Sequence, residues 1–571
     1  MAVMKTTWLL YFIILTNVLS AQNRYDIIFT EIMCDPSPQV GLPNNEWIEL
    51  KNISNSPINL LGWRIADASG QSGPMPEFIL EVNSYMIVCA ASARDVMASF
   101  GTAVSVTSFP SLDNDGEILM LKEPNGSVIH AVEYSSAWYQ NELKKDGGWS
   151  LEMINTGTPC LGNTNWKAST DIRGGTPGLA NSVTALIEDR QEPELKNAYL
   201  DIDSNIILVF TEPLDSSAAV IATNYTIDGG IVITSAETLP PIFNRVQLKT
   251  EKSLSSGTIY NITANNINDC KGNINGSANK TKVGLPQQAV PGDVIINEIL
   301  FNPRPNANDY VEIFNRSEKI MDISSLYLAN RNSSNTVSSV TQLSLFPVYL
   351  FPRDYIVLTT DAENLALQYL VSNSDAVFTR PSLPSYPDTE GFVLVLNQQG
   401  EVMDEVHYTD DWHFKLITDA EGVSLERLDP EAETQNARNW HSAASTAGFG
   451  TPGYRNSHTL EVPDIPASFE VYPRVFSPDN DGLDDIATVQ YKISEPGYVA
   501  NITIFDATGR PVKQLVRNGL LGISGYWNWD GLDDNGRKLP VGTYILYTEI
   551  FNLAGKKKRF KTTVVLARKL K

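Results

Sequence analysis

The chain has 571 residues, with 66 acidic against 43 basic side chains and a formal net charge of −23. A single hydrophobic core rarely grows to that length, so roughly three to five domains are expected. The charge opposes the counterion release that drives phosphate-backbone binding, which argues against a nucleic-acid partner.

The first element is an export signal over residues 1–21: Lys5, an apolar run from Trp8 to Leu15, and a small-residue exit at Ser20-Ala21 before Gln22. The mature chain is therefore expected outside the cytoplasm, extracellular or on a bacterial cell surface. The apolar run is too short for a membrane span, and no later stretch approaches the roughly 20 residues a span needs. The four cysteines, Cys34, Cys89, Cys160 and Cys270, fit no zinc spacing. Two readings stay open for them. One is a bridge from Cys34 to Cys160, and the other is small buried thiols, which Cys89 in Met86-Ile87-Val88-Cys89 suggests.

After the signal, one long block occurs twice, about 270 residues apart. The first copy opens Ile28-Phe29-Thr30-Glu31-Ile32 and continues Glu46-Trp47-Ile48-Glu49-Leu50; the second opens Ile295-Ile296-Asn297-Glu298-Ile299 and continues Asp309-Tyr310-Val311-Glu312-Ile313. The endings also correspond. Ser150-Leu151-Glu152, Asn165-Trp166 and Gly175-Thr176-Pro177-Gly178 answer Ser424-Leu425-Glu426, Asn439-Trp440 and Gly450-Thr451-Pro452-Gly453. A repeat of that length is a duplicated domain. Within each copy a hairpin is expected, Glu117–Leu121 across Glu123-Pro124-Asn125-Gly126 to a strand ending at Tyr134, and Gly391–Leu396 across Asn397-Gln398-Gln399-Gly400 to one ending at Tyr408.

Short alternating apolar runs separated by Asn, Asp, Gly, Pro and Ser clusters continue throughout, so the fold class is all-β, four tandem immunoglobulin-like β-sandwich modules. Periodicity lapses around 183–197, 283–293 and 457–468, which sets the expected domains at 22–183, 190–285, 292–457 and 468–571. Strands are expected at Ile206–Phe210, Val246–Leu248 and Tyr260–Ala264 in the second, and at Val489–Ile493, Val499–Phe505 and Thr543–Tyr547 in the fourth. The basic terminal stretch, Lys556–Arg559 to Lys571, reads either as a strand edge guarded by lysines or as a surface for a membrane or anionic glycan.

The repeats resemble the lamin-tail domain, on the residues Thr30-Glu31-Ile32 and Asn297-Glu298-Ile299, Trp47–Leu50 and Tyr310–Ile313, Leu61-Gly62-Trp63, and the Gly-Thr-Pro-Gly endings. The second copy departs at Leu326-Tyr327-Leu328, where a different turn is expected. This resemblance implies an immunoglobulin-like binding or scaffolding module. The second domain looks like the immunoglobulin-like domains of bacterial surface proteins, from Phe210–Asp215 and Ile267–Asn273. The last, through Val475–Asp485, Ile502–Arg510, Trp529-Asp530-Gly531 and Pro540–Tyr544, resembles the flagellar hook-capping immunoglobulin-like domain and the C-terminal sorting domain of type IX secretion in Bacteroidetes. That likeness implies secretion machinery and cell-surface components as partners.

Three constellations carry candidate chemistry. Asp479, Asp481, Asp484 and Asp485, with Asp530 and Asp533 in a second turn, supply the hard oxygens calcium takes, or equally two turns in which Asp bonds its own backbone. Glu31 with Glu49 and Glu298 with Glu312 are paired carboxylates; their duplication in two diverged copies favours a hydrogen-bonding role in the fold over two active sites. Tyr134 with Trp138 and Tyr408 with Trp412 place aromatics where a sandwich end could stack on a glycan, against a reading in which the loop tryptophans fold back over the core. His407 and His413 flank Trp412 and could join a metal site, but two lone histidines on a β hairpin are expected to face solvent. No His-Glu-x-x-His, Gly-x-Ser-x-Gly or phosphate-loop motif occurs. The expectation is a non-enzymatic exported protein for adhesion or ligand binding, with an exported metal-dependent hydrolase or nuclease and a plain structural spacer as rivals.

Overall fold

The computed structural model describes residues 22–417, 419–458 and 467–568. The segment read as an export signal, most of the third linker and the last three residues lie outside the described residues. The chain divides into two compact units, one holding residues up to Ser253 with Tyr260–Lys282, the other Leu254–Ile259 with Val283 onward. Both are built almost wholly of antiparallel sheets. No described helix is long and apolar enough to cross a membrane.

In the first unit, a six-stranded sheet runs in the order Trp166–Ala168, Leu151–Met153, Ile27–Met33, Trp47–Asn52, Tyr85–Ala90, Ala103–Val106. A three-stranded sheet of Arg64–Ala66, Gly116–Lys122 and Val128–Ser135 faces it, with Phe29, Leu50, Trp63, Leu119, Leu121 and Trp166 in the shared core. The central strand Ile27–Met33 is buried at all seven positions. Its outer side is covered as well, because Met33, Trp47, Ile87 and Cys89 pack under the short helix Arg94–Met97. A strand covered on both faces loses the usual polar alternation, and any charged residue on it must be satisfied internally. The same unit continues into a four-stranded sheet (Leu195–Leu200, Ile206–Phe210, Arg245–Thr250, Ile233–Leu239) and a three-stranded one (Tyr225–Ile227, Tyr260–Ala264, Lys280–Val283).

The second unit repeats the first design. Val377–Thr379, Tyr355–Thr359, Tyr310–Asn315, Val294–Leu300, Leu425–Arg427 and Trp440–Ser442 form the six-stranded sheet, opposed by Val337–Gln342, Leu326–Arg331, Glu390–Asn397 and Val402–Thr409. The turn expected to differ does so: Gly62 takes a left-handed φ of +82° before the buried Trp63, whereas the second copy uses a short 3-10 turn, Ile323–Ser325, capped by the Asp322 carboxylate. The last sandwich packs Ser468–Tyr472, Ala487–Lys492 and Ser524–Trp529 against a five-stranded sheet, Val475–Phe476, Lys557–Leu566, Gly542–Asn552, Tyr498–Phe505 and Pro511–Leu520. It shares an apolar cluster of Phe414, Val499 and Leu520 with the preceding sandwich.

The cysteines are paired otherwise than the first of the two readings has it. Cys160 is joined to Cys270, while Cys34 and Cys89 are free and buried. The bridge thus ties the closing segment of the first sandwich to the turn Asp269–Asn273 of the next. Arg24 reinforces the same junction, donating to Leu214 O and Ser216 Oγ at 3.1 Å while its guanidinium lies 4.0 Å over the Phe243 ring.

Candidate functional site

The most concentrated chemistry of each lamin-tail-like sandwich is a set of three buried glutamates on neighbouring strands. Glu31 is in register with Glu49 on one side and with Glu152 on the other; Glu298 stands likewise between Glu312 and Glu426. All six are fully buried. A bulge just before the central glutamate, between Phe29 and Glu31 and between Ile296 and Glu298, turns the inserted Thr30 or Asn297 toward the same neighbour. Thr30 Oγ1 donates to Glu49 at 2.7 Å and Asn297 Nδ2 to Glu312 at 2.7 Å.

The glutamates grip the closing Gly-Thr-Pro-Gly turn bond for bond. Thr176 donates its amide to Glu31 (2.7 Å) and its hydroxyl to Glu152 (2.9 Å), and Gly178 donates its amide to Glu49 (2.6 Å). In the second copy the Thr451 amide reaches Glu298 (2.9 Å), its hydroxyl reaches Glu426 (2.8 Å), and the Gly453 amide reaches Glu312 (2.7 Å). Gly175 is required because a Cβ there would come within 2.7 Å of Glu31 Oε1. Asn181 then locks the exit, donating to Thr30 O and Met153 O, as Asn456 does to Asn297 O and Arg427 O.

Burial sets the protonation of these groups. Loss of water, followed by repulsion from its neighbouring glutamates, pushes Glu31 and Glu312 well above the ordinary carboxylate range. Burial raises Glu298 too, and pushes Glu49 and Glu426 up to about 8. Hydrogen counting agrees. Thr451 Oγ1 lies 2.8 Å from Glu426 and 2.9 Å from Glu298, yet a hydroxyl has one hydrogen to give, so one of the two glutamates must be the acid that donates. The triads are hydrogen-bonded clamps, and their oxygens do not converge on a common point that would hold an ion.

The other expected residues are placed as follows. Tyr134 and Tyr408 are buried, which removes them as ligand-facing groups. Tyr134 donates to Asp113 O at 2.8 Å, and Tyr408 donates to Pro387 O at 2.9 Å while stacking on Phe301. Trp138 and Trp412 are half-buried in short 3-10 turns, each against the tryptophan of the closing strand, Trp166 at 6.2 Å and Trp440 at 6.3 Å. His413 is buried rather than solvent-facing, with Nδ1 2.9 Å from Ser442 Oγ, and His407 stacks on Phe392 beside Glu390.

Asp479, Asp481 and Asp485 bring carboxylate oxygens within reach of one ion. Asp485 already accepts the amides of Asp479, Asn480 and Gly482, the arrangement of a self-bonded turn. Asp484 takes no part in that cluster, and Asp530 and Asp533 accept the amides of their own turn at Leu532, Asn535 and Arg537. A further acidic group joins Asp189, Glu212 and Asp269 beside the disulfide. Burial and the nearby Asp269 and Asp189 push Glu212 up to about 8. Sequence reading passed over this group because its members come from a linker, a strand end and a turn.

Residues 20–136 and 287–410 match the Lamin Tail Domain family. These stretches hold the first two glutamates of each triad and end before Glu152 and Glu426, so the chain carries two lamin-tail domains whose clamps close beyond the matched residues. No curated protein matches the chain. Among solved structures, the S-layer protein rSbsC(31-844) is 12% identical, 66% of this chain aligning with 54% of that one at a TM-score of 0.16. Dimeric latent PorU from Porphyromonas gingivalis is 11% identical over 69% of this chain and 36% of its own, at 0.14. A tetra-tandem repeat from a large adhesion protein is 11% identical over 95% and 100%, at 0.12. At these scores none of the three bears on function.

Proposed function

We propose that this protein, a multi-domain β chain with two lamin-tail domains, is non-enzymatic and works outside the cytoplasm in adhesion or ligand binding. Export by a type IX secretion-like route, with residues 468–571 as sorting or anchoring domain, is part of the same reading. The observation that carries it is the Cys160–Cys270 disulfide across the junction of two sandwiches, a bond that persists in oxidising compartments and is rare in reducing ones. The signal-like residues 1–21 support export independently.

The glutamate triads support a scaffolding role for the lamin-tail domains. These carboxylates are fully buried and use their hydrogen bonds to hold the closing turn in place, out of reach of a substrate in solvent. Recognition then belongs to exposed groups, and the half-buried faces of Trp138 and Trp412 at equivalent places are suited to stack on sugar rings.

The test is non-reducing peptide mapping of the native protein recovered from cell surface, medium and cytoplasm. The expected result is a chain beginning at Gln22, outside the cytoplasm, with the Cys160 and Cys270 peptides cross-linked. A full-length cytoplasmic chain with free thiols overturns the proposal.

A further inference from the structure

We infer that the last sandwich is a docking site for an extended, acidic polypeptide strand supplied by a partner, bound along the free edge of Lys557–Leu566. The edge itself is the first observation. On one side this strand pairs along its length with Gly542–Asn552. On the other, Val475 and Phe476 pair with Val565 and Leu566 in parallel and then stop, so Lys557–Val564 have no strand hydrogen-bonded to them on that side among the described residues, while Phe469 of the opposing sheet packs on the Phe560 ring at 4.8 Å. Those eight residues span about 26 Å at roughly 3.3 Å per residue. An unpaired row of amides and carbonyls of that length is a template for a further strand.

The space beside it is the second observation. Ser468–Tyr472, the edge of the opposing sheet, pairs only with Ala487–Lys492 and faces the same opening. Between the two edges lies a groove of 720 Å³ lined by Phe469, Val471, Tyr472, Arg474, Lys561 and Thr562 among others. Phe469 and Val471 form an apolar floor, whereas Tyr472 is 71% exposed at the rim. A strand entering here would continue the row that Val475–Phe476 begins.

Charge chooses the occupant. Lys557, Lys558, Lys561 and Arg474 make no ion pair among the described residues, whereas Lys556 and Arg559 are matched to Glu495 and Glu549. Glu470 is the acidic side chain lining the groove. A second copy pairing through the same edge would set lysine against lysine and is disfavoured. Side chains alternate across a strand, so Lys557 and Lys561 share one face while Phe560 faces Phe469; a strand alternating acidic and apolar residues places carboxylates beside Lys557 and Lys561 and apolar side chains toward Phe469 and Val471. This site lies in a different sandwich from the tryptophans above and holds whether or not they bind sugar.

The experiment measures binding of a blocked ten-residue peptide of alternating Glu and Val to the full mature chain, residues 22–571, by fluorescence anisotropy at 0.15 M salt. Binding is expected to fall at least tenfold for the K557E/K561E variant, whose exposed positions leave the fold intact by circular dichroism, and to recover with a Lys-Val peptide. A Glu-Val peptide N-methylated at alternate residues, which keeps its charge but loses one row of donors, is expected to lose binding to the unaltered protein by the same factor. Equal affinity for the methylated peptide, no binding of the Glu-Val peptide, or preferential binding to vesicles containing one third phosphatidylserine overturns the inference.

Discussion

The hydroxyl of Thr176 donates to Glu152 across 2.9 Å, joining two residues of the same closing segment, and Thr451 repeats the contact to Glu426 at 2.8 Å. Through it the third glutamate of each triad is tied to the turn that the first glutamate already holds by its amide. Removing the central glutamate should therefore cost more than removing either flank. Glu31→Ala strands the Thr176 amide in the core, at about 1–3 kcal/mol, leaves the Ser150 hydroxyl only its longer contact to Gly174 O, and opens a cavity. We expect urea denaturation to show a loss of about 3 kcal/mol or more for Glu31→Ala, and the same for Glu298→Ala. Glu426→Gln, which keeps an acceptor and the neutral charge of the acid, should cost under about 1 kcal/mol.

The raised carboxyls also fix a direction with pH. A group whose folded pKa lies above its unfolded value contributes stability that is complete below the unfolded value and is lost as pH rises through the folded one. For Glu49 and Glu426 that loss extends from the ordinary carboxylate range to about 8, and burial pushes Cys34 and Cys89 up to about 11 with the same sign. Burial lowers His130 to about 3 and His413 to about 4, which penalises acid instead, but that effect ends above the ordinary histidine range. Between pH 7 and 9 the raised carboxyls dominate, the thiols adding to the loss only as pH passes their ordinary range, so the thermal midpoint should fall. Glu426→Gln should reduce the slope of the second unit's transition by up to about 1.4 kcal/mol per pH unit. A midpoint that rises over this range would contradict the assignment.

The disulfide closes a loop with a sequence separation of 110. Disulfides typically stabilise by about 2–4 kcal/mol, and chain entropy puts a loop of this size near the upper end or slightly above it. We expect Cys160→Ser/Cys270→Ser to destabilise the first unit by about that amount. The unaltered chain, nicked by protease between Val183 and Glu194, should run as one species on a non-reducing gel and as two after reduction. Two fragments without reductant would show that the bridge does not form.

How far the sequence spoke depended on the range of the interaction. A continuous apolar run placed Ile206–Phe210 and alternation placed Tyr260–Ala264 to the residue, because packing against the opposite sheet is written into a strand's own side chains. Glu31 and Glu49 were visible as a pair since a single hairpin joins them. Glu152 shows in the sequence as part of a repeated triplet but not as their partner, for its three-residue strand reaches Glu31 only through a register set over a hundred residues away. The Cys160–Cys270 bridge was hidden for the same reason, lying between two modules whose contact neither sequence pattern encodes. Tyr134 looked like a loop aromatic, and its burial follows from a hydroxyl that finds Asp113 O from inside the core.

Trp138 and Trp412 give the last test, since packing and recognition make different demands on them. Each rests on one tryptophan of its closing strand and remains partly open to solvent. Truncation to alanine removes one aromatic contact and part of a buried surface, which for a half-buried ring amounts to about 1–3 kcal/mol, less than the cost of a fully buried tryptophan. Trp138→Phe keeps most of that packing but presents a smaller stacking face. If these rings bind glycans, a glycan array should lose signal with both Ala variants and weaken with Trp138→Phe, while the denaturation midpoint of the Phe variant stays close to that of the parent. If they only cover the closing strand, array signal and stability will fall together, and the Phe variant will behave as the parent in both.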